Sequence, residues 1–444
     1  MVETSQNLRP GIIGPASGKL NEFQRTMLQW SGLHPYNAVH VARVTVEILP
    51  GPLAAAASHV LAEAGLTNYA LCEANGLYRY EGGRVEVEPL VIEGGGAPLS
   101  MVHREMERQL NEPFASGGLF QPFRWFLVKG DGETFVGIAY FHVVADAESI
   151  GRLLREVITA AFDETPQPLR DSALALRCSS RVPTGGPLGL LRRTVAALQK
   201  FQRMRRSFRS PDCPVNRFDN EWFGRSFDLE ETAAVLALAK RHGATVNDLC
   251  LAAVLQAVIP VAMGRFEKKR RQLSAGCVVN LRRDLPEARR RDFGLFLGSF
   301  SVTHPVPVKG LLGDLIASVH AQSKQVKRAK LYLASRLEFR MNRFLFARQP
   351  LEKRRNFYRK AYPVWGSITN FKMDGFQIGE KAGIADYYRA VSAGPALPFV
   401  IGVTGFDGRL QFGFTYRPDV IQGEIVRGIA ERFLQILAGK ESLA

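Results

Sequence analysis

Residues 134–158, TFVGIAYFHVVADAESIGRLLREVI, hold the change of pattern on which the fold turns. Thr134 to Val144 is a run of apolar, β-branched and aromatic residues, the composition of a buried strand. From Asp146 onward Ile150, Leu153, Leu154, Val157 and Ile158 recur at helical spacing, so a helix is predicted to open there. Strand, short loop and helix together expose a side chain at the strand's end, here His142 of His142-Val143-Val144-Ala145-Asp146. Imidazole titrates near neutrality and can take the proton of a hydroxyl or amine during acyl transfer, which makes His142 a candidate general base. Asp146, at the helix start, suits a buried ion pair that fixes the loop. The bare H-x-x-x-D spacing is weak, because among eight histidines a chance aspartate four positions on is ordinary. Its context is stronger. No other histidine has that aspartate; His59 and His103 have glutamate there, each inside a predicted helix as a common i,i+4 pair.

Outward from this stretch, strands and helices mix along the whole chain. Towards the N-terminus the pattern predicts a helix over 19–33, a strand over 40–49, a helix over 53–64, a hairpin over 77–92 turning at Gly82-Gly83, a helix over 98–110 and a strand over 123–129. On the other side, 165–188 is rich in Pro and Gly and reads as a linker. A basic amphipathic segment follows, LGLLRRTVAALQKFQRMRRSFR. Regular structure resumes near Asn220, with helices over 229–242 and after Asn247-Asp248, strands over 276–281, 298–304, 364–368, 399–406 and 410–416, and a last helix over 421–437. The expected class is α/β or α+β in two lobes: an N-terminal lobe (1–170), a linker with the basic segment (171–215) and a C-terminal lobe (216–444).

The totals agree. A chain of 444 residues with 46% hydrophobic and 23% charged residues is globular and long enough for two or three domains. Leu249 to Met263 is the most apolar stretch, but it is short for a span and contains Gln256 and Pro260, so a core helix is expected. The first residues show no secretory pattern. Five cysteines without a CxxC pair argue against zinc ribbons and a disulfide framework. A cytoplasmic protein, peripheral at a membrane if associated with one, is the expectation. The net charge of +16 points to an anionic partner: nucleic acid, a membrane surface, or an acidic substrate or carrier.

Residues 111–157, from Asn111-Glu112-Pro113-Phe114 through the H-x-x-x-D and the Leu153-Leu154-Arg155-Glu156 helix, resemble the central block of the condensation-domain and chloramphenicol-acetyltransferase-like superfamily. Further segments follow in the family's order: ATVNDLCLAAVLQAV (244–258), VVNLRRDL (278–285), LGSFSVTHP (297–305), GSITNF (366–371) and FVIGVTGFDGRLQFGFTYRPDVI (399–421). The resemblance covers nearly the whole chain. It implies two chloramphenicol-acetyltransferase-like lobes forming a pseudo-dimer, with an active-site channel between them. Acceptor and acyl thioester would arrive from opposite faces and meet at His142, and Asp146 would pair with Arg282 of the N-x-R strand. Thr369 and Asn370 would be polar groups lining the site, set against a turn-capping role. No metal or resident cofactor is implied; acyl-CoA or an acyl carrier protein would be the donor, and a small, lipophilic alcohol or amine the acceptor, with the enzyme a monomer.

The sequence departs from the family in three places. Phe141 stands where many members have a first histidine, Ala147 where glycine usually follows the aspartate, and the plant branch's D-F-G-W-G is absent. Ala resists backbone angles that Gly accepts, so a binding or carrier-docking module without catalysis is the alternative reading. Other chemistries lack support: Gly14 to Lys19 is one residue short of a P-loop and is followed by Leu20, and no nucleophile elbow, H-E-x-x-H or dinucleotide fingerprint is present. The basic segments, 192–209 and 324–360, read either as solvated helix faces or as an amphipathic surface for anionic lipid, CoA phosphate or an acidic carrier. A basic peripheral membrane-binding protein is thus a third reading. Nucleic acid is disfavoured for want of a binding motif.

Overall fold

In the computed structural model, the described residues are 16–115, 117–162, 187–214, 219–263, 270–306, 312–373, 377–378 and 382–440. The central strands are buried along nearly their whole length, because two six-stranded sheets are each packed against helices. The first sheet runs β13 (Gln377–Ile378), β14 (Ala382–Val391), β2 (Asn37–Val44), β8 (Thr134–Phe141), β7 (Phe123–Lys129) and β5 (Leu90–Glu93). The second runs β11 (Leu297–Pro305), β10 (Gln272–Asn280), β12 (Gly366–Met373), β15 (Phe399–Phe406), β16 (Arg409–Tyr416) and β9 (Glu221–Phe227). A small sheet joins β1 (Ala16–Lys19), β4 (Leu77–Tyr80), β3 (Tyr69–Cys72) and β6 (Leu119–Phe120). The mixed α/β architecture expected from the sequence is the one adopted.

In the first sheet the period-two rule sorts side chains cleanly. Ala38, Ala42 and Val44 of β2 and Val136, Ile138 and Tyr140 of β8 enter the core that also holds Leu53, Ala57 and Val60 of α2 (Pro50–Glu63) and Leu153, Leu154 and Val157 of α4 (Ala147–Phe162). Val39, Val41, Phe135 and Ala139 face Val102, Met106 and Leu110 of α3 (Pro98–Asn111). Around the second sheet lie α6 (Leu229–Arg241), α7 (Val246–Met263), α8 (Leu312–Arg328) and α12 (Gly423–Leu437). Among the described residues α7 is the one helix long and apolar enough to cross a membrane, and its Leu249 to Leu255 are buried in this second core. α1 (Glu22–Ser31) begins at an Asn21–Gln24 capping box. α5 (Pro187–Met204), α9 (Ser335–Ala347), α10 (Leu351–Arg354) and α11 (Phe357–Ala361) complete the helices.

Two features differ from the expectation. The predicted 77–92 hairpin does not form: Gly82 and Gly83 do turn the chain with positive φ, but β4 pairs with β1 and β3 whereas β5 pairs parallel to β7 in another sheet. In addition, the chain leaves the second sheet after β12, adds β14 antiparallel to β2 in the first sheet, and returns as β15 beside β12. A strand from the expected C-terminal lobe therefore completes the N-terminal sheet. The predicted linker falls almost wholly on 163–186, outside the described residues. Cys72, Cys250 and Cys277 are free thiols, and Cys178 lies outside the described residues.

Candidate active site

Buried β8 ends at Phe141, and the next five residues, His142 to Asp146, form the loop that leads into α4. The loop is held from several sides. The His142 N–H donates to the Tyr36 carbonyl at 3.1 Å, and Gln24 of α1 donates from Nε2 to the Val143 carbonyl at 2.8 Å. Asp146 caps α4, accepting from the Ser149 N–H at 2.9 Å, while its own N–H donates to the Gly294 carbonyl at 3.0 Å. Ala147 is the first residue of the helix and has no positive φ, so glycine is not required there.

The Asp146 carboxylate is 1% exposed and sits in the seam between the two sheets. It receives Arg282 Nη2 at 2.9 and 3.0 Å and the Phe296 N–H at 3.0 Å. Arg282, just beyond β10, also donates to the carbonyls of Arg290 (2.9 Å) and Asp292 (2.7 Å) and to Ser149 Oγ (2.7 Å), with its guanidinium over the Phe296 ring. Both charges are buried with several partners each, the condition under which such a pair is tolerated. The pair ties the His142 loop to the second half of the chain.

His142 is 7% exposed, its ring parallel to that of Tyr36 and edge-on to Tyr140. Nδ1 lies 3.1 Å from the Ala145 carbonyl. A carbonyl only accepts, so Nδ1 carries the proton and Nε2 keeps a free lone pair. Burial pushes the imidazole pKa down to about 4; the Ala145 carbonyl and the Asp146 charge push the other way, and Arg389 adds to the depression. At neutral pH the ring is uncharged and able to accept a proton.

Two cavities meet at this ring and share His142, Val278, Leu297, Thr369 and Val391 as walls. One arm is apolar, lined by Phe23, Met27, Trp30, Phe339, Tyr358 and Tyr362. The other is polar, lined by His40, Tyr140, Glu148, Asn280, Asn370 and Arg389. Thr369 on β12 is half-buried at the junction, with its carbonyl accepting from Arg389 Nη2 at 2.7 Å. Asn370 is exposed in the polar arm, and its Nδ2 donates to Asn247 Oδ1 at 3.3 Å. The structure thus brings together His142, Thr369, Asn370 and Asp146 around one space, with Arg282 behind Asp146.

Sequence reasoning missed Tyr36, His40 and Arg389. His40 and Arg389 sit opposite each other on β2 and β14, on the face that also carries Tyr140. The available signal was a histidine inside an apolar strand and an arginine inside a tyrosine-rich run, and neither stands out without the pairing of the strands.

No protein-family profile matches the chain, and no curated protein matches it. Solved structures do. A mutant starter condensation domain of rhizomide synthetase RzmA, in complex with C8-CoA and Leu-SNAC, superposes with a TM-score of 0.70 at 14% identity, covering 95% of this chain and 94% of that one. The condensation domain of Monacolin K polyketide synthase MokA gives 0.65 at 14% identity, over 97% and 98% of the two chains. The first condensation domain of the CDA synthetase gives 0.64 at 15%, over 99% and 98%. The chain therefore has the condensation-domain fold over essentially its full length.

Proposed function

We propose that this chain is an acyltransferase that moves an acyl group from a CoA or carrier-protein thioester to a hydroxyl or amine, with His142 as general base. The observation that carries the reading is the place of His142: a neutral imidazole, its Nδ1 tied to a carbonyl, at the junction of an apolar and a polar arm. The acceptor's proton passes to Nε2 as its oxygen or nitrogen attacks the thioester carbonyl. The tetrahedral intermediate then collapses, the C–S bond breaks, and the thiolate takes the proton from the imidazolium. An imidazolium as acidic as burial makes this one gives its proton up readily. No covalent acyl-enzyme forms and no metal or cofactor takes part. Thr369 and Asn370 line the space in which the intermediate's oxyanion would develop.

The apolar arm suits a lipophilic acyl chain, and the rhizomide starter domain, which is similar in fold, holds C8-CoA. That arm continues past Glu338, Asn342 and Tyr362 into a surface groove of about 1040 Å³ between α5 and α9. We read this groove as the side that meets an anionic membrane surface. The test of the catalytic reading is thiol release from a series of acyl-CoAs in the presence of mixed alcohols and amines. Wild type should release thiol in an acceptor-dependent way, and His142→Ala should be slower by roughly 10²–10⁴-fold. Equal inertness of both proteins across the panel would remove the reading.

A further inference from the structure

The polar arm carries a charge that acyl transfer itself does not use. Arg389 is 6% exposed. Its Nη2 donates to the carbonyl of Thr369 at 2.7 Å and, less closely, to that of Val403 at 3.4 Å, while its buried Nε has no hydrogen-bond partner. Its other neighbours are the Phe371 ring and the phenols of Tyr140 and Tyr387. Among the described residues no carboxylate lies within ion-pairing distance of it. Burial pushes its pKa down to about 10, which still leaves it charged at neutral pH.

Directly across the strand pair lies His40, wholly buried. Its Nδ1 is 2.5 Å from Tyr387 Oη, and its Nε2 has no partner. With the phenol donating to Nδ1, Nε2 carries the ring proton and is a second donor without an acceptor. The acidic groups of the arm are already matched: Asp146 with Arg282, and Glu148 with Arg152 and Asn280. The net charge of the arm is that of Arg389.

A buried guanidinium with no counter-charge is costly, and an apolar residue of similar volume would serve the fold better. Arg389 also works against the base, since its charge opposes protonation of His142. A cation kept at such cost beside a reactive group is expected where a bound anion compensates it. We propose that Arg389 and His40 form a carboxylate-recognition subsite in the polar arm, so that the acceptor is a small hydroxy or amino acid whose free carboxylate docks there and whose nucleophile faces His142.

The identity of the acceptor rests on the acyl-transfer reading, but binding of the anion does not, so the two are tested separately. The first measurement uses the full chain without donor, following the histidine ring nitrogens by NMR during titration with lactate, lactamide and inorganic phosphate. Lactate should perturb the His40 signals and lactamide should not. The response should be lost in Arg389→Met and partly kept in Arg389→Lys, with near-ultraviolet circular dichroism showing that both variants are folded. Equal responses to lactate and lactamide, or preferential binding of phosphate, would overturn the subsite. The second measurement compares kcat/KM for hydroxy acids and their amides. Wild type should favour the acids by roughly 10- to 100-fold, and that ratio should collapse towards one in Arg389→Met. An equal fall for both acceptors would assign Arg389 a general structural role and reject the proposal. Lactate binding without any thiol release would leave the subsite standing and reject acyl transfer.

Discussion

Protonating His142 places a charge where burial opposes it, and two measurable consequences follow. The free enzyme should keep its base unprotonated well below the ordinary histidine range, so kcat/KM should stay level from pH 8 down to about pH 5 and fall with a midpoint near the imidazole's pKa of about 4. An acid limb centred near 6.5 would show that His142 is not the base in this environment. Stability follows the same linkage. The unfolded chain binds a proton at His142 near pH 6.5 and the folded chain only near 4, so stability is full above 6.5 and declines as pH falls through that interval. His40, whose pKa is also held down by burial, by Arg389 and by His142, adds to the decline. Urea titrations at pH 7 and pH 5 should show the loss, and it should be smaller in a folded His142→Gln variant. The histidine was legible in the sequence because one motif of five consecutive residues contains both it and the aspartate that caps the next helix. Arg389 was not, because its meaning lies in what surrounds it: a strand pairing across more than three hundred residues and the lack of a nearby carboxylate.

Most elements could be read because the central strands of both sheets are buried along nearly their whole length and helices carry apolar stripes, so local pattern and tertiary burial agree. β7 and β15 begin and end where the sequence placed them, at Phe123–Lys129 and Phe399–Phe406. β14 was missed because its neighbours are of mixed character: Tyr387 enters the core, Arg389 lines the cavity and Asp386 pairs with Arg43, so no period-two alternation survives. The hairpin was misread because a glycine turn is a local signal, whereas the partner of β5 is chosen by the distant β7. Two substitutions test how the elements hold the site. Asp146→Ala strands Arg282 in the seam without its carboxylate, and should cost about 3–5 kcal/mol in urea unfolding; a loss under 1 kcal/mol would show the pair is not what binds the loop to the second half. Gly137 of β8 lies directly opposite Phe126 of β7, and a Cβ there would collide with the ring. Gly137→Ala should therefore destabilise by about 1–3 kcal/mol through displacement of Phe126, although its backbone conformation needs no glycine.

At the scale of the whole molecule the question is where the charge of +16 acts. Almost half of the large apolar side chains exposed among the described residues lie on three helices: Leu191, Val195, Leu198 and Phe201 on α5, Leu337, Met341, Phe344 and Leu345 on α9, and Leu351 on α10. The same helices carry Arg203, Arg340, Lys353 and Arg354, and Arg348 beside them stacks on Phe344. Apolar side chains interleaved with cations match a bilayer of anionic headgroups over acyl chains better than they match water, and the groove between α5 and α9 adjoins the apolar arm. Binding on this surface should have both an electrostatic and an apolar component. The protein should float with phosphatidylglycerol-containing vesicles at ~0.1 M salt, where charges reach about 10 Å, and weaken at ~1 M, where the reach is about 3 Å. It should bind pure phosphatidylcholine poorly. Replacing Met341 and Phe344 by aspartate should weaken flotation at both salt concentrations while leaving thiol release from a short, water-soluble acyl-CoA near the wild-type rate, since neither side chain lines the space around His142. Flotation that ignores headgroup charge, or that survives the double substitution, would place the membrane contact elsewhere on the molecule.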